Sequence, residues 1–166
     1  MLSNLAPYLN VTKDCTDGSQ GCFPTGVTYK FLTPSKGNDS IYDNMVYPKL
    51  KLTDGTTLMA YGILSAPVSK GTSPALQNIY GYYYADINGY KGPNQIGKDV
   101  FLFYLTKYGI IPLGTSQEIS GYTFSGFCKD KDTTYGWGCT AWVIYNENLD
   151  YLHCNNLDWN GLTQCR

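Results

Sequence analysis

A chain of 166 residues, 43% of them hydrophobic and only 15% charged, with a net charge of −1, is long enough for one domain with its own core. Soluble domains usually carry about a quarter charged residues, so this balance, with its many Gly and Tyr, suits a β-rich extracellular protein better than a cytosolic helical one. No run of Lys and Arg breaks the chain, so there is no electrostatic footprint for nucleic acid.

From Leu2 to Lys13, Leu2, Leu5, Tyr8 and Leu9 fall near i, i+3, i+4 spacing. That spacing predicts the end of an amphipathic helix, with Pro7 early in it or kinking it. Cys15 to Cys22 reads as a small loop, and the run from Pro34 to Asp39 as a surface loop. Two apolar runs, Leu50–Leu52 and Thr57–Ile63, flank Asp54-Gly55, a strong short-range hairpin signal. Ala66 to Ala75 reads as a long loop, Ile79 to Ile87 as a buried strand rich in tyrosine, and Asp99 to Thr106 as another strand. A glycine-rich link over Asn88–Lys98 makes those last two antiparallel neighbours, closing a sheet of about four strands. Thr140 to Tyr145 is too short a run to divide helix from strand, and Asn146 to Arg166 is loop-like. Leu50, Leu52, Leu58, Phe101, Phe103, Leu105, Trp142 and Ile144 are the expected core.

The six cysteines form three local pairs: Cys15 with Cys22, Cys128 with Cys139, and Cys154 with Cys165. An even number in a weakly charged chain points to disulfides made in an oxidising compartment. Six cysteines permit 15 connectivities. Neighbour pairing is expected because each pair closes a short loop containing Gly or Asn. The rival is a metal site, but the spacings lack the C-x₂-C repeats of structural zinc.

Ala85-Asp86-Ile87-Asn88-Gly89, Lys91-Gly92-Pro93-Asn94 and Gly97-Lys98-Asp99-Val100-Phe101 resemble the globular domains of type IV pilin-like proteins and type II secretion pseudopilins. Gly138-Cys139-Thr140-Ala141-Trp142-Val143-Ile144, then Leu149-Asp150-Tyr151-Leu152 and Cys154, extend the likeness. Leu5-Ala6-Pro7-Tyr8-Leu9 resembles the point where such a protein leaves its long helix. The similarity is densest from residue 79 onward, and its motifs are specific as a set rather than singly.

The resemblance implies a single α+β domain over 1–166, a pilin-like roll. The tail of a helix, residues 1–14, packs on an antiparallel sheet edged by a disulfide-stapled C-terminal region. It implies a non-enzymatic structural subunit of a pilus or secretion pseudopilus, exported to the cell surface or periplasm. Its partners would be other subunits, and before assembly the inner membrane, reached through a very hydrophobic N-terminal helix. That helix, its leader and its early glutamate are expected to have been removed, with Met1 an added start codon. The alternative function is a secreted or minor-pilin binding module, adhesin-like, for a glycan, protein or DNA ligand.

Asp86-x-Asn88-Gly89, followed by Asn94 and Asp99, looks like the start of an oxygen-rich calcium loop without the closing Glu. Some pseudopilins of the kind resembled hold calcium beside the sheet, so Asp86, Asn88 and Asp99 are the expected ligands if a cation binds. The competing reading is a turn that uses these side chains for backbone hydrogen bonds. No other cofactor is required. Tyr80, Tyr82 and Tyr84 would share one strand face, a candidate ligand surface, against a plainer reading as packing. Trp137, Trp142 and Trp159, all close to cysteines, are expected to fill core. His153 is the lone histidine and has no serine nucleophile in a G-x-S-x-G setting, so an enzyme is not expected. Asn10 and Asn38 begin Asn-x-Ser/Thr sequons.

Overall fold

The computed structural model describes residues 2–17, 21–22, 27–39, 47–129 and 134–166. Parts of the first cysteine loop and of the stretch from 26 to 47, including Ser40 of the second sequon, lie outside the described residues.

Strand-forming segments build a mixed α and β fold around a six-stranded antiparallel sheet. In chain order its strands are β1 (Val11–Cys15), β4 (Lys49–Leu52), β5 (Thr57–Tyr61), β6 (Ile79–Asp86), β7 (Val100–Thr106) and β8 (Gly109–Pro112). They also lie in that order across the sheet. Two further strands, β2 (Tyr29–Lys30) and β3 (Asn38–Asp39), pair with each other. The Asp54-Gly55 hairpin is present as read. Asp54 Oδ1 accepts the Thr56 amide at 2.8 Å, Gly55 takes the positive φ that the turn needs, and Leu50 faces Leu58 across the pair.

Two expectations need correcting. The sheet has six strands rather than about four, because edge strands escape a search for buried stripes. β1 is polar along most of its length, and β8 is four residues ending in Pro, a residue confined to edges and bulges. The helical start is also shorter than residues 1–14. Helix α1 covers Leu2–Leu5, a tight 3₁₀ turn covers Ala6–Tyr8, and Val11 is already paired with Leu52 in the sheet.

The sheet has two unlike faces. On one, Leu2 and the half-buried Ala6, Leu9 and Val11 gather with Leu50, Ala60, Tyr83, Leu58, Phe103 and Leu105. On the other, Met59, Ile79, Tyr84, Leu102 and Tyr104 pack with Tyr29, Leu76, Ile96 and Leu113 from the loops. A third cluster joins the C-terminal region: Phe124, Trp142, Tyr151 and Leu157 around the Cys128–Cys139 bond. Helix α2 (Phe124–Phe127) and helix α3 (Thr140–Asn146) supply its walls. The backbone of Gly114 lies so close to the carbonyl of Gly138 that any Cβ there would collide. A Cβ at Gly138 would in turn meet the carbonyls of Tyr122 and Thr123, so glycine at both places lets these segments approach closely.

Leu50, Phe101 and Trp142 are buried as expected. Leu52, Leu58, Phe103 and Leu105 are half-buried, because α1 covers only part of their face. Ile144 is corrected outright, being 48% exposed. Residues two apart share a face in a strand but lie about 200° apart around a helix, and 140–146 is a helix. Burying Trp142 therefore turns Ile144 outward.

All three disulfides pair neighbours: Cys15–Cys22, Cys128–Cys139 and Cys154–Cys165. Closing short loops in the unfolded chain is typically worth about 2–4 kcal/mol each. Trp142 fills core as expected, stacked on Phe124 at 4.2 Å, with its Nε1 donating to Asn148 Oδ1 at 3.0 Å. Trp142→Ala is expected to cost about 3–5 kcal/mol in urea-unfolding free energy, whereas Ile144→Ala should stay within about 0.5 kcal/mol of the parent. Comparable losses at both positions would show that α3 does not present these faces.

Candidate functional site

Three places gather the side chains that the sequence singled out. The first lies on the sheet face beside α1. Alternation along β6 sends Tyr83 and Ala85 to this face, β5 adds Leu58, and β7 adds Phe103. With Leu2 and Ile110 these residues line an open groove of about 250 Å³. The lining is aliphatic and aromatic, with the hydroxyl of Tyr83 buried away from it, and Ile110 at its rim is 49% exposed. The structure brings together here a set that sequence reading had only in part, as core. Ile110 was missed because it lies on the unrecognised edge strand. Its signal was the pair Ile110-Ile111 just after the turn at Lys107–Gly109.

The second place is the link between β6 and β7. Asp86 ends β6 and is buried, and Asp99 is buried just before β7. Asp86 Oδ2 accepts the Tyr29 hydroxyl at 2.8 Å, and its Oδ1 accepts the Asn88 amide at 3.2 Å. Asp99 receives the amides of Asn94 at 2.8 Å and Gln95 at 2.7 Å. Asn88 spans the loop, donating from Nδ2 to the Gly92 carbonyl at 3.2 Å. The three residues named as calcium ligands thus do share one loop, but all four carboxylate oxygens already hold protein donors. The acceptors left without a donor are Asn88 Oδ1 and Asn94 Oδ1, both buried. Calcium takes six to eight oxygens, and here the four carboxylate oxygens already accept hydrogen bonds, leaving the two amide oxygens without a donor. Among the described residues no group of three or more His, Cys, Asp or Glu is placed to hold a metal. The donor set fits a hydrogen-bonded brace and does not by itself complete a calcium cage.

The third place is the tyrosine strand. Tyr82 and Tyr84 share the sheet face opposite the groove, and Tyr83 faces the groove. Tyr80 departs from the expected row. Pairing with β7 is irregular between Ile79 and Gly81, so Ile79 rather than Tyr80 joins the cluster of Tyr82 and Tyr84. Tyr82 lies 5.6 Å from Tyr104 and 6.0 Å from Tyr122 between ring centres. Tyr122 then meets Trp137 at 5.1 Å. These contacts make an aromatic layer that is largely packing, in which burial raises the pKa of the Tyr82 and Tyr84 hydroxyls.

Sequence reading missed Glu118. It is 6% exposed and accepts from the Tyr104 hydroxyl, from the Gly114 amide at 2.8 Å and from the Tyr122 amide at 2.9 Å. Burial raises its pKa, against the pull of those three donors. No motif surrounds it, so nothing in the sequence marked it. His153 is exposed and lines a shallow recess with Leu32, Lys98 and Leu152. Trp137 belongs with the aromatic layer and Trp159 with the C-terminal cluster.

Comparison with protein-family profiles, with curated proteins and with solved structures finds no match for this chain. No helix among the described residues is long and apolar enough to cross a membrane.

Burial pushes the Asp86 carboxyl up to about 6, and the Asp99 carboxylate adds to the rise, while the Tyr29 and Asn88 hydrogen bonds oppose it. A carboxyl whose folded pKa exceeds its unfolded value binds protons on folding. Its contribution to stability therefore grows as pH falls through about 6 towards 4. Between about pH 7 and about pH 4.5, wild type should gain about 2 kcal/mol of unfolding free energy relative to Asp86→Asn. Urea melts of both proteins across that window check it, and a difference that stays constant with pH would refute it.

Proposed function

We propose that this chain is the exported head of a fibre-forming subunit of the type IV pilus or type II secretion pseudopilus kind, with no catalytic role. The groove beside α1 carries the reading. A sheet face lined by Leu58, Tyr83, Ala85, Phe103 and Ile110, with Leu2 of α1 set against it, would seat an amphipathic helix lying along it. The apolar side of such a helix would cover the half-buried Leu58, Phe103 and Leu105, and its extension would anchor the subunit in the inner membrane and then pack against neighbouring subunits. Three disulfides suit the oxidising environment outside the cytoplasm where such heads work. The polar loops on the opposite face and the C-terminal region would then be the parts that meet the medium.

Shearing filaments from the source cell and probing them for this chain tests the proposal. The chain is expected in the filament fraction. Ala85→Trp, which fills the groove at a half-buried position, should leave the disulfides and melting temperature intact yet reduce incorporation at least about tenfold, since docking a helix there would lose about 3 kcal/mol or more from a blocked apolar seat. A chain released freely into the medium would defeat the assembly reading, and an Ala85→Trp variant that assembles normally would defeat the groove as the seat of the helix.

A further inference from the structure

Away from the groove, the C-terminal region encloses a second recess. It lies between the segment at Thr115–Glu118, the start of α2 and the turn at Asp158–Asn160, and holds about 150 Å³. That is about half the smallest volume usual for drug-sized pockets, and enough for one small ring.

Its lining has a distinct chemistry. Trp159 forms an aromatic wall, held in place by its Nε1 bond to the Gly114 carbonyl at 3.1 Å and by edge contact with Phe124 at 5.8 Å. Ser116 and Ser125, with the side chains of Asp158 and Asn160, make up the polar part. Thr115 Oγ1 is buried yet has no hydrogen-bond partner. That hydroxyl lies beneath the lining surface, so the polar contacts open to a ligand come from the side chains at the rim. Glu118 reaches the recess as well, but its oxygens are committed to Tyr104, Tyr122 and Gly114. It stiffens the wall.

Charge narrows the ligand further. Asp158 Oδ2 lies 3.5 Å from Lys129 Nζ and its Oδ1 accepts the Asn160 amide at 3.0 Å, so its negative charge is balanced locally. Hydroxyls and amides both donate and accept, while the indole offers a flat apolar body. A partner that fits all of these is small and uncharged, with hydroxyl groups around its edge and an apolar C–H face. We propose that this recess binds a neutral sugar ring, with Trp159 against its C–H face and Ser125, Asp158 and Asn160 to its hydroxyls. The proposal goes beyond fibre assembly and does not depend on it, because the recess belongs entirely to the folded head.

The test uses the purified chain with the methyl glycosides of glucose, galactose, N-acetylglucosamine and N-acetylgalactosamine as probes. Saturation-transfer NMR and tryptophan fluorescence follow binding. At least one glycoside is expected to bind saturably with Kd in the range of about 0.1–10 mM, typical of a single ring in a shallow site. Ser125→Arg puts a long side chain from an exposed position into the recess. It should weaken binding at least about tenfold, while Asn160→Ala weakens it less and both variants keep the parental melting temperature. Absence of saturable binding below about 50 mM for all four probes, or equal affinity in the parent and Ser125→Arg, would overturn the proposal.

Discussion

Two carboxylates fix how β6 returns into β7, and most of the molecule hangs on that return. Asp99 gathers the amides of Asn94 and Gln95, which turns the chain back before β7 begins. The same turn then offers its own groups outward. Gln95 Nε2 donates to the carbonyls of Phe31 and Leu32 at 3.0 and 2.8 Å. The Lys30 amide donates to the Asn94 carbonyl and the Ile96 amide to the Lys30 carbonyl, and Asp86 accepts from the Tyr29 hydroxyl. Without the brace, the segment from 27 to 36 loses its ties to the β6–β7 turn, and the face holding Tyr84, Leu102 and Tyr104 loses the cover that Tyr29 gives it. Burying charge is expensive unless it is hydrogen-bonded, and here every oxygen of both groups has a donor. The elevated pKa of Asp86 is the residue of that cost.

The C-terminal region is attached to the same hub. Tyr151 donates from its hydroxyl to the Gly97 carbonyl at 2.5 Å, Thr140 Oγ1 accepts the Leu102 amide at 2.8 Å, and the Ala141 amide reaches Leu113 at 2.8 Å. These bonds satisfy backbone groups at the end of the sheet that would otherwise be stranded. The disulfides then limit how far this loop-rich region can open. Cys128–Cys139 ties α2 to the start of α3, and Cys154–Cys165 closes the last turn of chain, where Asp150 also accepts the Cys165 amide at 2.6 Å. A region with so little regular structure keeps one shape because cross-links and side-chain bonds replace a ladder.

What could be read in advance followed from local physics. The Asp54-Gly55 hairpin, the β6 and β7 strands and the three disulfide pairs depend on near neighbours, and each was legible. Edge strands were not, because β1 and β8 bury too little of themselves to show an alternating stripe. Ile144 was misjudged for want of a decision between two periods over a run of seven residues. Asp86, Asn88 and Asp99 were rightly grouped, since a loop of fixed length brings them together. The turn reading, side chains accepting backbone amides, matches the bonds to Asp86 and Asp99, but the Tyr29 donor that engages Asp86 was not legible, because it comes from far along the chain. Glu118 and the recess beside Trp159 are tertiary products of three separate segments, and no spacing announces them.

The two proposed surfaces are compatible because the sheet separates them. The groove belongs to the face of Tyr83 and Phe103. The recess is tied through Glu118 to Tyr104, whose side chain packs on the opposite face. A helix seated in the groove would therefore bury apolar area without touching Trp159 or Asn160. The recess lies among loops stapled by disulfides, which limit how far they can rearrange. A fibre built from such heads would hold its helices inside and repeat the recess along its outside. Weak binding by one ring would then be multiplied by many copies at fixed spacing, which raises avidity without any new contact. The small size of the recess suits such an array better than it suits a lone receptor, since affinity at each site need not be high.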